Sequence, residues 1–234
     1  MSSTLTAVSC TCTLLLPWFM PYLIVPIQCV DNIIYSAGES RDVTLDEMFA
    51  LLDKRRPGFE MLWDKVKTTE HPLIVETGCT RQPDNWFGDG QSTQVFNAMC
   101  EQAEGTLNSV DINQENCAFA RQLVGPRAQI YCGDSVEWLQ QAEEVFWRTG
   151  RKITVLYLDS FDLDVNNWAP SALHHIFELL SIKNALAPGS LVAVDDNVAM
   201  EDGTHVGKGT FVANWMQRAG KQQIHQGYQW IWQW

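Results

Sequence analysis

From Asp31 onward, short apolar runs alternate with stretches whose apolar positions recur at three and four residues, as in a parallel α/β sheet. The runs Leu73 to Thr77, Thr106 to Ile112, Ala128 to Cys132, Ile153 to Asp159 and Ser190 to Asp195 predict five strands, each separated from the next by a helical stretch. Ahead of the sheet, Thr44-Leu-Asp-Glu47 is a capping box opening a helix to about Lys54, and a second helix covers roughly Gly58 to Lys67. The chain closes with a helix near Lys208 to Arg218 and two short strands, Gln222 to Gln226 and Tyr228 to Trp234, parted by Gly227. Alternation places Trp230, Trp232 and Trp234 on one face of that hairpin.

Residues 1 to 30 carry no Asp, Glu, Lys, Arg or His, and Leu14 to Val30 is almost wholly apolar. No basic residue precedes Arg41, which argues against a secretory signal. A membrane helix needs about 20 apolar residues, and Pro17, Pro21 and Pro26 interrupt this shorter run. Residues 1–40 are therefore expected to be an apolar strap on the domain or on an oligomer partner. A membrane anchor and an early start codon are the alternatives. Residues 41–234 are expected to form one domain.

Composition narrows the class. With 46% hydrophobic residues the 234-residue chain can bury a sizeable core. The 16 Lys and Arg stand against 28 Asp and Glu, and a net charge of −12 repels phosphate backbones, so a nucleic-acid partner is not expected. The 7 cysteines are odd in number and none forms a CxxC pair, so a reducing compartment, the cytoplasm, is the simpler reading. No GxSxG elbow, P-loop or HExxH occurs, which removes the common hydrolase readings.

In open α/β sheets ligands bind at the carboxyl ends of the strands, and the acidic residues collect there. The first strand ends in Glu76-Thr77-Gly78, and the next helix opens after Gly88-Asp-Gly90-Gln-Ser92-Thr93; glycines let a backbone approach a ligand, and Ser92 or Thr93 can cap the helix facing it. A plain turn explains the glycines equally well. Asp111 ends the second strand, where a carboxylate can accept both hydroxyls of a ribose, and Asn113 is well placed to cap the helix that follows. Gly133-Asp134-Ser135 follows the third strand and can meet an adenine edge or cap a helix. Asp159 and Asp162 follow the fourth strand, and Asp195, Asp196 and Asn197 the fifth. Crowded carboxylates repel, which a hard divalent cation such as Mg²⁺ or Mn²⁺ relieves; solvated carboxylates and caps are the alternative.

Together these residues resemble the class I S-adenosylmethionine-dependent methyltransferases over roughly Thr44 to Trp234. The resemblance implies a Rossmann-like sheet of strand order 3-2-1-4-5-7-6 with the last strand antiparallel. It implies S-adenosylmethionine bound by Glu76, Thr77, Gly78, Gly90, Ser92, Thr93, Asp111, Gly133, Asp134, Ser135 and Asp159. Within that class, Asp159, Asp195, Asp196 and Asn197 look like the Mg²⁺ or Mn²⁺ set of cation-dependent O-methyltransferases of the catechol and macrocin or sugar-tailoring types. The position where those enzymes often carry a Lys or His base is Asp162 here, so Asp162 or Asp159 would take the proton. The acceptor would be a small-molecule hydroxyl, with Trp86, Phe161 and Trp168 as pocket walls or core; nitrogen acceptors and homo-oligomers stay open. A nicotinamide-dependent oxidoreductase on a related sheet and a degenerate interaction subunit are the competing readings, the former opposed by the missing GxGxxG and the antiparallel ending.

Overall fold

A computed structural model describes residues 43–86 and 91–234. The apolar segment of residues 1–40, and with it any membrane or partner contact it makes, lies outside the described residues, as do Gly88 and Gly90 of the loop after the first strand.

The chain runs α1 (Leu45–Leu51), α2 (Arg56–Val66), β1 (Leu73–Thr77), α3 (Ser92–Gln102), β2 (Thr106–Asp111), α4 (Gln114–Leu123), β3 (Ala128–Cys132) and α5 (Ser135–Thr149). It continues through β4 (Ile153–Leu158), α6 (Ala169–Ile182), β5 (Leu186–Val194), β6 (Asn197–Ala199), β7 (His205–Gly207), α7 (Thr210–Arg218), β8 (Gln222–Gln226) and β9 (Trp230–Gln233). Local chemistry sets the boundaries. Thr44 and Glu47 close the expected capping box on α1. Asn113 accepts from the amides of Glu115 and Asn116 at the start of α4, and Asp134 accepts from Glu137 at the start of α5. Gly150 ends α5 in the left-handed conformation.

The sheet has the order β3-β2-β1-β4-β5-β9-β8. β1 to β5 pair in parallel, and β9 lies antiparallel to both β5 and β8. This is an α/β Rossmann-like sheet with a reversed strand near its end, in the order the resemblance implies. The small hairpin β6–β7 was not expected, because its three-residue strands carry no recognisable alternation. β5 also begins earlier than Ser190, since Leu186 already pairs with Ile153 before a register shift.

Alternation along each strand divides the core into two. Val75, Leu156, Val192, Val194, Trp230 and Trp232 face one layer, with residues of α5, α6 and α7. Ile74, Val155, Tyr157, Leu191, Ala193 and Ile231 face the other, with residues of α1, α2 and α3. Burial of apolar side chains on both faces is the main stabilising contribution, about 1.5–3 kcal/mol for each fully buried Leu, Ile, Val or Phe. Among the described residues no helix is long and apolar enough to cross a membrane.

Candidate functional site

The strand order reverses between β1 and β4, and a cleft of about 340 Å³ opens there at the carboxyl ends of β1, β2 and β4. Gly78, Ser92, Asp111, Asp159 and Asp162 line it, together with Arg81 and Phe161. Gly78 has φ +80°, and a Cβ there would stand 2.5 Å from the main-chain oxygen of Asp159. Only glycine lets β1 and β4 end this close together.

Asp111 is buried at the cleft floor. Its Oδ1 accepts from the amide of Asn113 (2.7 Å), its Oδ2 from the amide of Cys79 (3.1 Å), and Asn116 Nδ2 reaches both. The carboxylate is thus held still while its edge borders the cleft. Ser92 also lines the cleft as expected, whereas Glu76, Thr77 and Thr93 are not among its lining residues. Along β1, Glu76 and Thr77 point to opposite sides of the sheet. Glu76 is fully buried, with Oε2 accepting from Thr93 (2.8 Å) and Ser109 (2.5 Å), while Oε1 is without a hydrogen-bond partner among the described residues. Burial pushes its pKa up to about 7, the hydrogen bonds only partly opposing. Thr93 also accepts from the amide of Thr80 (2.9 Å), so it braces the loop from beneath.

Thr77 donates to Glu178 on α6 (3.1 Å), and Ser160 donates to the same carboxylate (2.6 Å). His174 Nε2 lies 3.3 Å from Glu178 and 2.9 Å from Ser135 Oγ. Burial raises the Glu178 pKa, but His174 and His175 more than reverse it, holding it down at about 2. Ser135 therefore faces α6, and Asp134 serves as the helix cap, Oδ1 accepting from Glu137 (2.9 Å). Gly133, Asp134 and Ser135 are not among the residues lining the cleft.

The acidic cluster departs most from expectation. Asp196, with φ 52°, sits in the left-handed region that Asp tolerates better than most residues, and this turns its carboxylate away from that of Asp195. Asp195 continues the alternation of Leu191 and Ala193 into the α1–α3 side. There its Oδ2 accepts from Tyr157 (2.6 Å) and lies 3.6 Å from Arg55, itself only 2% exposed. Gln229 donates to the Tyr157 hydroxyl (2.8 Å).

Asp196 and Asp159 instead converge on Lys208, which is 1% exposed. Lys208 Nζ donates to Asp196 Oδ2 (2.8 Å), to Asp159 Oδ1, and to the main-chain oxygen of Asp159 (3.3 Å). Burial alone would depress the ammonium's pKa, but the two carboxylates outweigh it and hold it above its ordinary value. Tyr228 donates to Asp196 Oδ1, with Lys54 stacked over the Tyr228 ring at 3.5 Å. Asn197 Nδ2 donates to the main-chain oxygens of Val194 and Asp195, and its Oδ1 accepts from Gly209 (2.9 Å).

The expected Mg²⁺ or Mn²⁺ set of Asp159, Asp195, Asp196 and Asn197 is therefore not brought together. Asp195 is paired with Arg55, Asn197 is spent on the backbone, and an ammonium stands between the remaining two. No group of three or more His, Cys, Asp or Glu suited to a metal occurs among the described residues. Lys208, Arg55 and Tyr157 carry no local signal in the sequence, because each meets its acid only through the fold.

Asp162 is largely exposed and forms a two-bond pair with Arg81 (2.9 and 3.0 Å) across the mouth of the cleft. Phe161 lines the cleft, while Trp168 packs on Phe211 and lines a second cavity. Trp86 packs against the α1–α3 core.

No protein-family model and no curated protein matches this chain. Among solved structures it is similar to MycE methyltransferase from the mycinamycin biosynthetic pathway in complex with Mg and SAH. That likeness has a TM-score of 0.52 at 13% identity and covers 82% of this chain and 55% of the other. It is similar also to NSun6 from Pyrococcus horikoshii with SFG (TM-score 0.48, 9% identity, 75% of this chain and 50% of that one). A DhpI–SAH complex gives a TM-score of 0.42 at 12% identity, over 82% of this chain and 95% of that one. The chain thus spans about half the length of the first two, and the likeness is one of fold.

Proposed function

We propose that this chain is an S-adenosylmethionine-dependent methyltransferase acting on a hydroxyl of a small molecule. The observation that carries the reading is the convergence of Gly78, Asp111 and Asp159 on one cleft at the β1/β4 reversal of a sheet with an antiparallel β9. The cleft falls within the size range of small-molecule and cofactor pockets, about 300–1,000 Å³. The residues fit the cofactor: the Gly78 turn admits a close backbone approach, and Asp111 offers a fixed carboxylate to ribose hydroxyls. When bound, the cofactor supplies an electrophilic sulfonium methyl. Likeness in fold to MycE, solved with Mg and SAH, supports a methyl-donor cofactor.

The chain's own part is orientation and proton handling. Holding an acceptor oxygen in line with the methyl removes much of the entropic cost of the encounter. Asp159 lines the cleft with Oδ1 on Lys208, while Oδ2 makes no hydrogen bond among the described residues; it is the group we assign to receive the hydroxyl proton. Asp162, tied to Arg81, closes the mouth instead. A second cavity of about 770 Å³, lined by Trp168, Met200 and Val206 and also by Asn166, Glu201 and Asp202, begins two residues from Asp196 and from Lys208, and suits an acceptor with both an apolar and a polar part. The divalent ion implied by the resemblance does not fit these residues, and no step is assigned to it.

Calorimetric titration with S-adenosylhomocysteine and, in parallel, NAD tests the reading. Saturable binding of S-adenosylhomocysteine is expected. Binding of NAD alone would replace the methyltransferase reading by the oxidoreductase one.

A further inference from the structure

We propose that the Lys208 ammonium is the resident cation of this site, a side chain that neutralises Asp159 and Asp196 and keeps a divalent ion out of the position their oxygens surround. Three oxygens, two carboxylate and one main-chain, converge on Nζ. Carboxylate and main-chain oxygens around one point are the donor set of a hard cation, and here they match the three N–H donors of an ammonium. The lysine is 1% exposed, and removing an ammonium from water is costly unless its charge is compensated, so its place depends on both acids.

The local backbone is built to deliver it. Lys208 lies between Gly207 and Gly209. A Cβ at Gly207 would stand 2.2 Å from the main-chain oxygen of Asp196, and one at Gly209 2.7 Å from Asn197 Oδ1. The Gly-Lys-Gly stretch therefore lies flush against Asp196 and Asn197, which sets Nζ between the two carboxylates. Asn197 has its oxygen on the Gly209 amide, which withholds it from a metal. Arg55 stands beside Asp195 in the same way, so two internal cations sit among the three carboxylates. A corollary, which rests on the proposed methyl transfer, is that the reaction needs no chelatable ion.

Manganese binding to the full-length protein, followed by the electron paramagnetic resonance of free Mn²⁺, tests the cation site without any assay of activity. Wild type is expected to leave millimolar Mn²⁺ free, whereas Lys208→Ala takes up one equivalent and Lys208→Ala/Asp196→Asn loses it again. Where the alanine variant does not fold, Lys208→Gln keeps most of the stem, offers an amide oxygen and is expected to bind Mn²⁺ likewise. Stoichiometric binding by wild type that Asp196→Asn abolishes, or failure of both lysine variants to gain Mn²⁺, overturns the proposal. Titration of the same proteins with S-adenosylhomocysteine reports separately on the cofactor cleft, so failure of one reading is distinguishable from failure of the other.

Discussion

Asp195 and Asp196, neighbours in the chain, face opposite ways: the first pairs with Arg55 and Tyr157, the second with Lys208 and Tyr228. One pair of acids thereby fastens the end of β5 to Arg55 at the start of α2 and to Lys208 just ahead of α7. Breaking a buried ion pair from one side leaves an uncompensated charge and costs about 3–5 kcal/mol. Arg55→Ala is expected to destabilise the fold by that order in urea unfolding, with a matching fall in midpoint. A change within about 0.5 kcal/mol, as for ordinary surface substitutions, would show that Arg55 does not carry the charge of Asp195.

Glu76 gives the fold a pH dependence of unusual sign. Its folded pKa of about 7 lies above its ordinary value of 4.5, so the native state holds a proton that the unfolded chain has released. Stability from this residue is full below about pH 4.5 and declines as pH rises to 7, by an amount of order 3 kcal/mol. Glu76→Gln is expected to flatten that decline and to raise stability at pH 8. Unchanged slopes in chemical unfolding between pH 5 and 8 would contradict it.

Glu178 works in the opposite direction. Held down at about 2, it contributes stability that is complete above its ordinary value of 4.5 and is lost as pH falls towards 2. Glu178→Gln is expected to be less stable than wild type at pH 7 and to approach it near pH 3, as followed by circular dichroism. A constant difference across that range would assign the loss to packing.

Gly78→Ala places a methyl 2.5 Å from the main-chain oxygen of Asp159 and imposes a left-handed φ on alanine. The backbone cost alone is about 1–2 kcal/mol, and the contact forces β1 and β4 apart at the cleft. The variant is expected to melt several degrees lower and to lose affinity for S-adenosylhomocysteine. Retained affinity would mean that the ligand does not approach this turn.

The sheet was legible because strands and helices here differ in period and length. Leu73–Thr77, Ala128–Cys132 and Gln222–Gln226 fall where the pattern put them, and the hairpin orientation follows from the tryptophan alternation. The acids at the strand ends were legible too, because each closes an apolar run. Their partners were not. Lys208 lies 49 residues from Asp159, and Arg55 precedes the whole sheet; such pairings depend on topology, which no local spacing reveals. The opposite orientation of Asp195 could have been read by extending the alternation of Leu191 and Ala193 by one step. That of Asp196 rests on a left-handed backbone, which the sequence Asp-Asp-Asn does not announce.

Thermal unfolding with S-adenosylhomocysteine, on wild type and Asp111→Ala, tests the central claim most directly. Ligand at a hundred times its dissociation constant adds about 2.7 kcal/mol to folding stability, a shift of several degrees for a chain of this size. The expected result is such a shift in wild type, unchanged by EDTA and absent in Asp111→Ala. No shift in wild type, or an equal shift in a folded Asp111→Ala protein, would contradict the assignment of this cleft to the methyl donor.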